Sequence, residues 1–348
     1  MVWPAGKKLK NGRYTIEEVL RQGTLSVTYL AKSAKGYRVV IKTPNDAAIP
    51  RADFDKLQER FVGEAFKLKD CQKSRYIVQV EEPFQEDGFW CIPMEYIAGT
   101  TLDKRSPLKM AEGEALRYVR QVGEALGVIH AQGLIHRDVS PDNVMRRSDD
   151  IGMNEAVLID FGLVRDFNLS TSVTSTQKIT PFTARELCLS KHDRGPYTDL
   201  YGLGAVLYAL VTGDNPPMAM DRQPGEKLKF PAGVSAQVEN AIESAMTLKG
   251  IDRPASVAAW LETLPAVKPE EKPEVSPLPP EERRKRKLEI VGLVLTALSV
   301  LFGAFQGIPV ALTYFFPKDA PPASVSNEAP LAKPPGTGIA PTLSPKPK

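Results

Sequence analysis

The sequence is poor in cysteine and histidine. Its three cysteines, Cys71, Cys91 and Cys188, are too few and too scattered for a disulfide framework or a zinc ribbon. They fit a reducing compartment. Three histidines, His130, His136 and His192, argue against a histidine-based metal site. An excess of one charge is also missing: 45 basic and 42 acidic residues leave a formal net charge of +3. That balance argues against a nucleic-acid partner, which normally meets a strongly basic domain.

What is present is unevenly spread. The chain has 348 residues, 42% of them apolar, enough to bury a sizeable core. Of 30 prolines, 16 fall from Pro265 onward, and the same stretch holds the longest uncharged apolar run. The chain is therefore not one uniform globule.

Residues 1–12 form an N-terminal segment, and residues 13–264 read as a mixed α/β domain. Tyr14–Leu20, Val27–Ala31 and Tyr37–Lys42 are rich in β-branched and aromatic residues and are broken by turn residues, which predicts strands. Ala52–Lys69 carries Phe54, Leu57, Phe61, Ala65 and Leu68 at helical spacing. Ile77–Val80 and Phe89–Tyr96 return to strand, and Ala111–Gln132, Thr198–Thr212 and Ser235–Met246 read as helices. Strands first and helices later predict two lobes of different class.

Residues 265–287 are rich in proline and charge and read as an extended linker, ending in the basic run 283–287. Residues 288–316 follow, uncharged from Ile290 to Phe316. About 20 apolar residues cross the hydrocarbon core of about 30 Å, so this segment is expected to be a transmembrane helix. Tyr314, Phe315 and Phe316 would anchor its far end. The basic run places the preceding domain in the cytoplasm by the positive-inside rule. Residues 317–348, Pro-rich and polar, then form a disordered extracytoplasmic tail that is too short to build a ligand pocket.

Two motifs carry chemistry. One is His136-Arg137-Asp138-Val139-Ser140-Pro141-Asp142-Asn143. The other is Asp160-Phe161-Gly162, after the apolar strand Ala156-Val157-Leu158-Ile159. In this order and spacing they resemble the eukaryotic-like (Hanks-type) protein kinase family. The closest likeness is to bacterial single-span transmembrane Ser/Thr kinases. The resemblance covers residues 13–264. It implies an α+β bilobal fold, with a β-rich N-lobe and a mainly helical C-lobe, and the use of ATP and Mg2+.

Residue by residue, the resemblance makes Asp138 the acceptor of the substrate proton. Asn143 and Asp160 become magnesium ligands, and oxygen donors suit that hard cation. Lys42, in Val39-Val40-Ile41-Lys42, matches the phosphate-binding strand lysine, and Glu64 matches the glutamate that holds it. Arg137 matches the arginine that pairs with a phosphate on the activation segment. Gly23 is the middle glycine of the phosphate loop. Val27, Val40 and Met145 would sandwich adenine, and backbone groups of Glu95 and Tyr96 would meet it at the hinge between lobes. Asp199 resembles the aspartate that braces the catalytic loop, although an Asp at a helix start is also a good N-cap. Arg253 resembles the partner of Glu186. Ser170, Thr171, Ser172, Thr174, Ser175, Thr176 and Thr180 crowd the activation segment as candidate autophosphorylation sites.

The sequence departs from the family at four positions. Arg21 and Ser26 stand where the phosphate loop has glycine. Ser140 replaces a lysine that neutralises the transferred group. Arg185 stands where proline is usual. The implied function is a membrane-anchored Ser/Thr protein kinase acting on protein hydroxyls, with self-association for trans-autophosphorylation. A pseudokinase that binds ATP or partners without transfer is the alternative, and a small-molecule phosphotransferase is a minor one.

Overall fold

The structure is a computed structural model. It describes residues 2–23, 26–48, 51–148, 154–160, 165–166, 179–189 and 194–267. The expected linker from residue 268, the transmembrane segment 288–316 and the tail lie outside these residues. So do 167–178, with six of the seven activation-segment hydroxyls. Among the described residues no helix is long and apolar enough to cross a membrane.

The N-terminal half is a six-stranded antiparallel sheet. Its strands are β1 (Lys8–Leu9), β2 (Tyr14–Gln22), β3 (Ser26–Ser33), β4 (Arg38–Pro44), β5 (Phe84–Glu86) and β6 (Phe89–Glu95), in the order β1-β2-β3-β4-β6-β5. Period-two alternation splits β4 cleanly. Val39 and Ile41 enter an apolar cluster on one face with Val27, Tyr29 and Tyr14, while Val40 and Lys42 face the cleft between lobes. The cluster also takes in Trp3 and Leu9, which are 5% and 0% exposed. The Trp3 ring lies 5.5 Å from that of Tyr29, and its indole N–H donates to Asp87 at 3.1 Å. The folded unit therefore begins before residue 13.

Helix α1 (Arg51–Asp70) crosses this lobe, burying Phe61, Ala65 and Leu68. The second lobe is built on α2 (Glu112–Ala131), α3 (Pro196–Thr212), α4 (Ala236–Ala245) and the short α5 (Val257–Thr263). Leu116, Val119, Val122, Leu126 and Ile129 form the buried stripe of α2, as their spacing predicts. Helix α3 is apolar nearly all round and buried from Thr198 to Thr212, so it forms the lobe's axis. Gly202 lets it press against the loop after Ile135: a Cβ there would lie 2.7 Å from the Val139 carbonyl oxygen.

The small strands are β7 (Gly99–Thr101), β8 (Leu134–Ile135), β9 (Val144–Ser148), β10 (Asn154–Leu158) and β11 (Arg165–Asp166). Strands β10, β9 and β7 form one sheet, and β11 pairs with β8. Ile77–Val80, expected to be a strand, makes only isolated bridges at its two ends, Ile77 to Leu158 and Val80 to Met94.

Candidate active site

The β9–β10 hairpin positions both motifs. Residues 136–143 lead into β9, and β10 delivers Asp160 just past its end. The Ile159 N–H donates to the Asn143 carbonyl at 2.9 Å, which ties the two together.

Two non-glycine residues there sit in the left-handed region, Arg137 at φ 66° and Asp160 at φ 58°. Such conformations persist only where the surroundings over-determine them. For Arg137 the cause is visible. The Asp199 carboxylate, 1% exposed, accepts the N–H groups of Arg137 at 2.6 Å and His136 at 2.8 Å. His130 Nε2 lies 2.8 Å from the same group. Burial alone would raise the Asp199 carboxyl, but the His130 hydrogen bond and the nearby His136 outweigh it and hold it below the ordinary range. Asp199 is not an N-cap. That position is Gly195, and the Asp199 side chain turns to the catalytic loop.

Asp138 is oriented by Asn143, whose Nδ2 donates to the Asp138 carboxylate and to its backbone carbonyl, both at 2.8 Å. Burial pushes the Asp138 carboxyl up, and nearby Asp142 and Asp160 add to the rise. His136 and the Asn143 amide act in the other direction. Ser140 is 3% exposed, and its hydroxyl donates to Asp142 Oδ1 at 2.7 Å.

Lys42, buried on β4, forms an ion pair with Asp160 across the cleft. Glu64 lies on α1, and its side chain is outside the described residues. Arg137 is 6% exposed, and the segment expected to bring it a phosphate is undescribed over 167–178.

The cleft encloses about 530 Å³, in the range of small-molecule sites. Lys42, Val40, Met145, Glu95, Tyr96 and Asp160, all named in the sequence analysis, line it together. One expectation needs correction. Val27 is fully buried in the outer cluster of the sheet, and Thr28 faces the cleft in its place. The pairing Thr28↔Lys42 sets this, and a one-residue shift flips a strand side chain to the other face. Gly23, just past the end of β2, donates its N–H to the Ser26 carbonyl at 2.9 Å, and its carbonyl accepts from Asn45 at 2.6 Å; residues 24–25 lie outside the described residues.

The hinge is also more committed than expected. The Glu95 N–H donates to the Gln79 carbonyl at 2.9 Å. Its carboxylate accepts from the Gln79 N–H at 2.9 Å and pairs with Arg147 at 2.6 Å. The N–H of Glu95 is thus not presented to the cleft. Ile97, which sequence reasoning missed, does line it.

At the far side of the loop, Arg253 meets Glu186 through two nitrogens, at 2.7 and 3.0 Å, buried at 5% and 6% exposure. Its remaining donors reach the carbonyls of Tyr197 and Thr247, each at 2.7 Å, and its guanidinium lies 5.0 Å from the Tyr201 ring. The Thr180 and Thr183 hydroxyls lie 3.1 Å apart and hydrogen-bond to each other.

A two-lobed fold with a lysine–aspartate pair across a cleft, beside a loop in which one buried aspartate fixes the backbone next to another, is suited to holding an anionic ligand beside a carboxylate. Comparison with known proteins narrows this. The protein kinase domain model matches residues 14–258, and the chain belongs to that family. A probable serine/threonine-protein kinase of Clostridium acetobutylicum is 31% identical over 217 residues, covering 61% of this chain and 31% of that protein. The Myxococcus xanthus serine/threonine-protein kinase pkn3 is 28% identical over 292 residues, covering 73% of this chain and 50% of that protein. The chain thus spans half or less of the curated relatives it matches. The solved apo form of PpkA-294 superposes with a TM-score of 0.61 at 24% identity, covering 76% of this chain and 99% of that one. That likeness concerns the fold.

Proposed function

We propose that this chain is a Ser/Thr protein kinase that transfers the γ-phosphoryl group of ATP to protein hydroxyls. The observation that carries this is the Lys42–Asp160 pair in a cleft that also takes in the hinge, with Asn143, which orients Asp138, tied by its carbonyl to the residue before Asp160. The names of the relatives agree.

The donor set fits a hard cation: a carboxylate at Asp160 and an amide at Asn143 leave further positions for phosphate oxygens and water. Bound magnesium would neutralise charge on the β- and γ-phosphates. The rest falls to the chain's own residues. Lys42 holds the phosphates, and Asp138 takes the hydroxyl proton as the substrate oxygen bonds to the γ-phosphorus. The β–γ bridging bond breaks, and ADP leaves with the electron pair. Burial suits Asp138 to this task, because a carboxylate with a raised pKa is a stronger base.

The proposal extends to the remainder of the chain. Residues 288–316 anchor it as a single-pass helix, with the kinase domain in the cytoplasm and residues 317–348 outside. Support comes from the uncharged run and the five basic residues before it. Autophosphorylation of the 170–180 hydroxyls, in trans between two copies, completes the proposal. The test uses labelled ATP, membrane fractions and site mapping on the full chain. Label on Ser or Thr within 170–180 and alkali-resistant membrane association support the account. Label absent from that segment refutes the autophosphorylation part, and extraction by alkali refutes the anchor.

A further inference from the structure

We propose that Arg21 is the cation that meets the γ-phosphoryl group in this chain, reaching from β2 to the place left uncharged by Ser140. This rests on the kinase function proposed above.

The first observation is backbone geometry. On β2, Val19 pairs with Tyr29 and Arg21 pairs with Thr28, so two steps on one strand meet one on the other. This is a bulge at Leu20, and bulges re-aim side chains. In a regular strand Val19 and Arg21 would share a face. Here Leu20 and Arg21, adjacent in sequence, both line the cleft. The bulge turns a side chain bound for the other face into the nucleotide site.

The second observation is charge. Arg21 lies 3.9 Å from Asp160 and 4.0 Å from Asp142, one nitrogen towards each. These are long contacts of a 61% exposed side chain. Such pairs are worth little in water, so exchanging them for a polyphosphate costs little. Across the same gap, Ser140 has no charge to offer, and its hydroxyl is spent on Asp142. Lys42 is engaged deeper, at Asp160. Arg21 is the cation poised at the outer end, where the terminal phosphate of a hinge-bound nucleotide falls. A guanidinium presents two parallel N–H donors to two phosphate oxygens, a planar fork that a lysine ammonium lacks. During transfer it stabilises the non-bridging oxygens, while bond making, bond breaking and the proton path stay as described above.

The test is calorimetric binding of adenosine, ADP and ATP to the full chain, with magnesium, for the wild type, Arg21→Ala and Arg21→Lys. A charge-assisted contact predicts that Arg21→Ala weakens ATP by about tenfold or more, ADP less, and adenosine by under about twofold. Arg21→Lys keeps part of the ATP affinity. Adding Ser140→Lys to Arg21→Ala recovers affinity for ATP over ADP. Equal weakening of adenosine and ATP would mean that only the strand has moved, and unchanged ATP binding would mean no contact; either overturns the proposal. If the wild type transfers no phosphate while the ATP-selective loss persists, the kinase function fails and the Arg21 contact stands.

Discussion

Replacing Asp199 with asparagine should weaken both the fold and the catalytic loop. The carboxylate accepts from the N–H groups of His136 and Arg137 and meets His130. Asparagine keeps one acceptor oxygen and turns the other into a donor. One of the two buried N–H groups then faces an NH2, and an unsatisfied buried donor costs about 1–3 kcal/mol. The surviving bonds lose their charge assistance, about 1 kcal/mol each. Removing a buried charge offsets part of this. The net loss is about 3 kcal/mol, which for a domain of this size lowers Tm by about 6–12 °C. Arg137, no longer held at φ 66°, relaxes, and Asp138 moves with it. The assay is thermal unfolding against pH. The Asp199 carboxyl is held below its ordinary value, so its stabilisation is full above a pH of about 4 and is lost as pH falls through the folded-state value. The gap between wild type and variant should therefore be full at neutral pH and shrink towards acid. A Tm change under about 2 °C, or a gap that widens towards acid, refutes the reasoning.

Further outcomes follow from the same geometry. Val27→Thr should destabilise by about 1–3 kcal/mol, because it buries a hydroxyl in an apolar cluster, while leaving ATP affinity unchanged; Thr28→Val, on the cleft face, should leave stability nearly unchanged and alter ATP affinity, as urea unfolding and nucleotide titration would show. Glu186→Gln should cost about 3–5 kcal/mol, since it strips the charge from the buried partner of Arg253, and the loss is read by denaturant unfolding. Lys42→Met should lower the transfer rate by about 10²–10³, measured with labelled ATP. Because Asp138 works deprotonated and its pKa is raised, the acid limb of kcat/KM should lie above the ordinary carboxylate range; a limb at or below that range contradicts the assignment.

The sequence made the four longer helices and the motifs legible, because both are local; the seven-residue α5 was not read, being too short to show a period. The stripe from Leu116 to Ile129 and the spacing from Asp138 to Asn143 need no tertiary information. Glu186 and Arg253 were paired through the family likeness, and the structure joins them. What was hidden depends on register. A β2 bulge and a one-residue choice between Val27 and Thr28 decide which side chains see the cleft, and neither leaves a mark in composition. A period-two reading from Val40 and Lys42 across the sheet would have found Thr28 only with the pairing in hand. Lys8–Leu9 and Trp3 were missed because two residues make too short a strand to show a pattern; β1 is held by its pairing with Tyr14 and Thr15 on β2, and Trp3 by ring contacts with Tyr29 and Phe89.

The central claim is phosphoryl transfer that depends on Asp138. The full chain, with Asp138→Asn as its blank, would be incubated with magnesium, γ-labelled ATP and a protein rich in serine and threonine. The account predicts label on Ser or Thr that disappears in the variant. Label no greater than the blank, with ATP binding intact in both, would contradict it and leave a nucleotide-binding module without transfer.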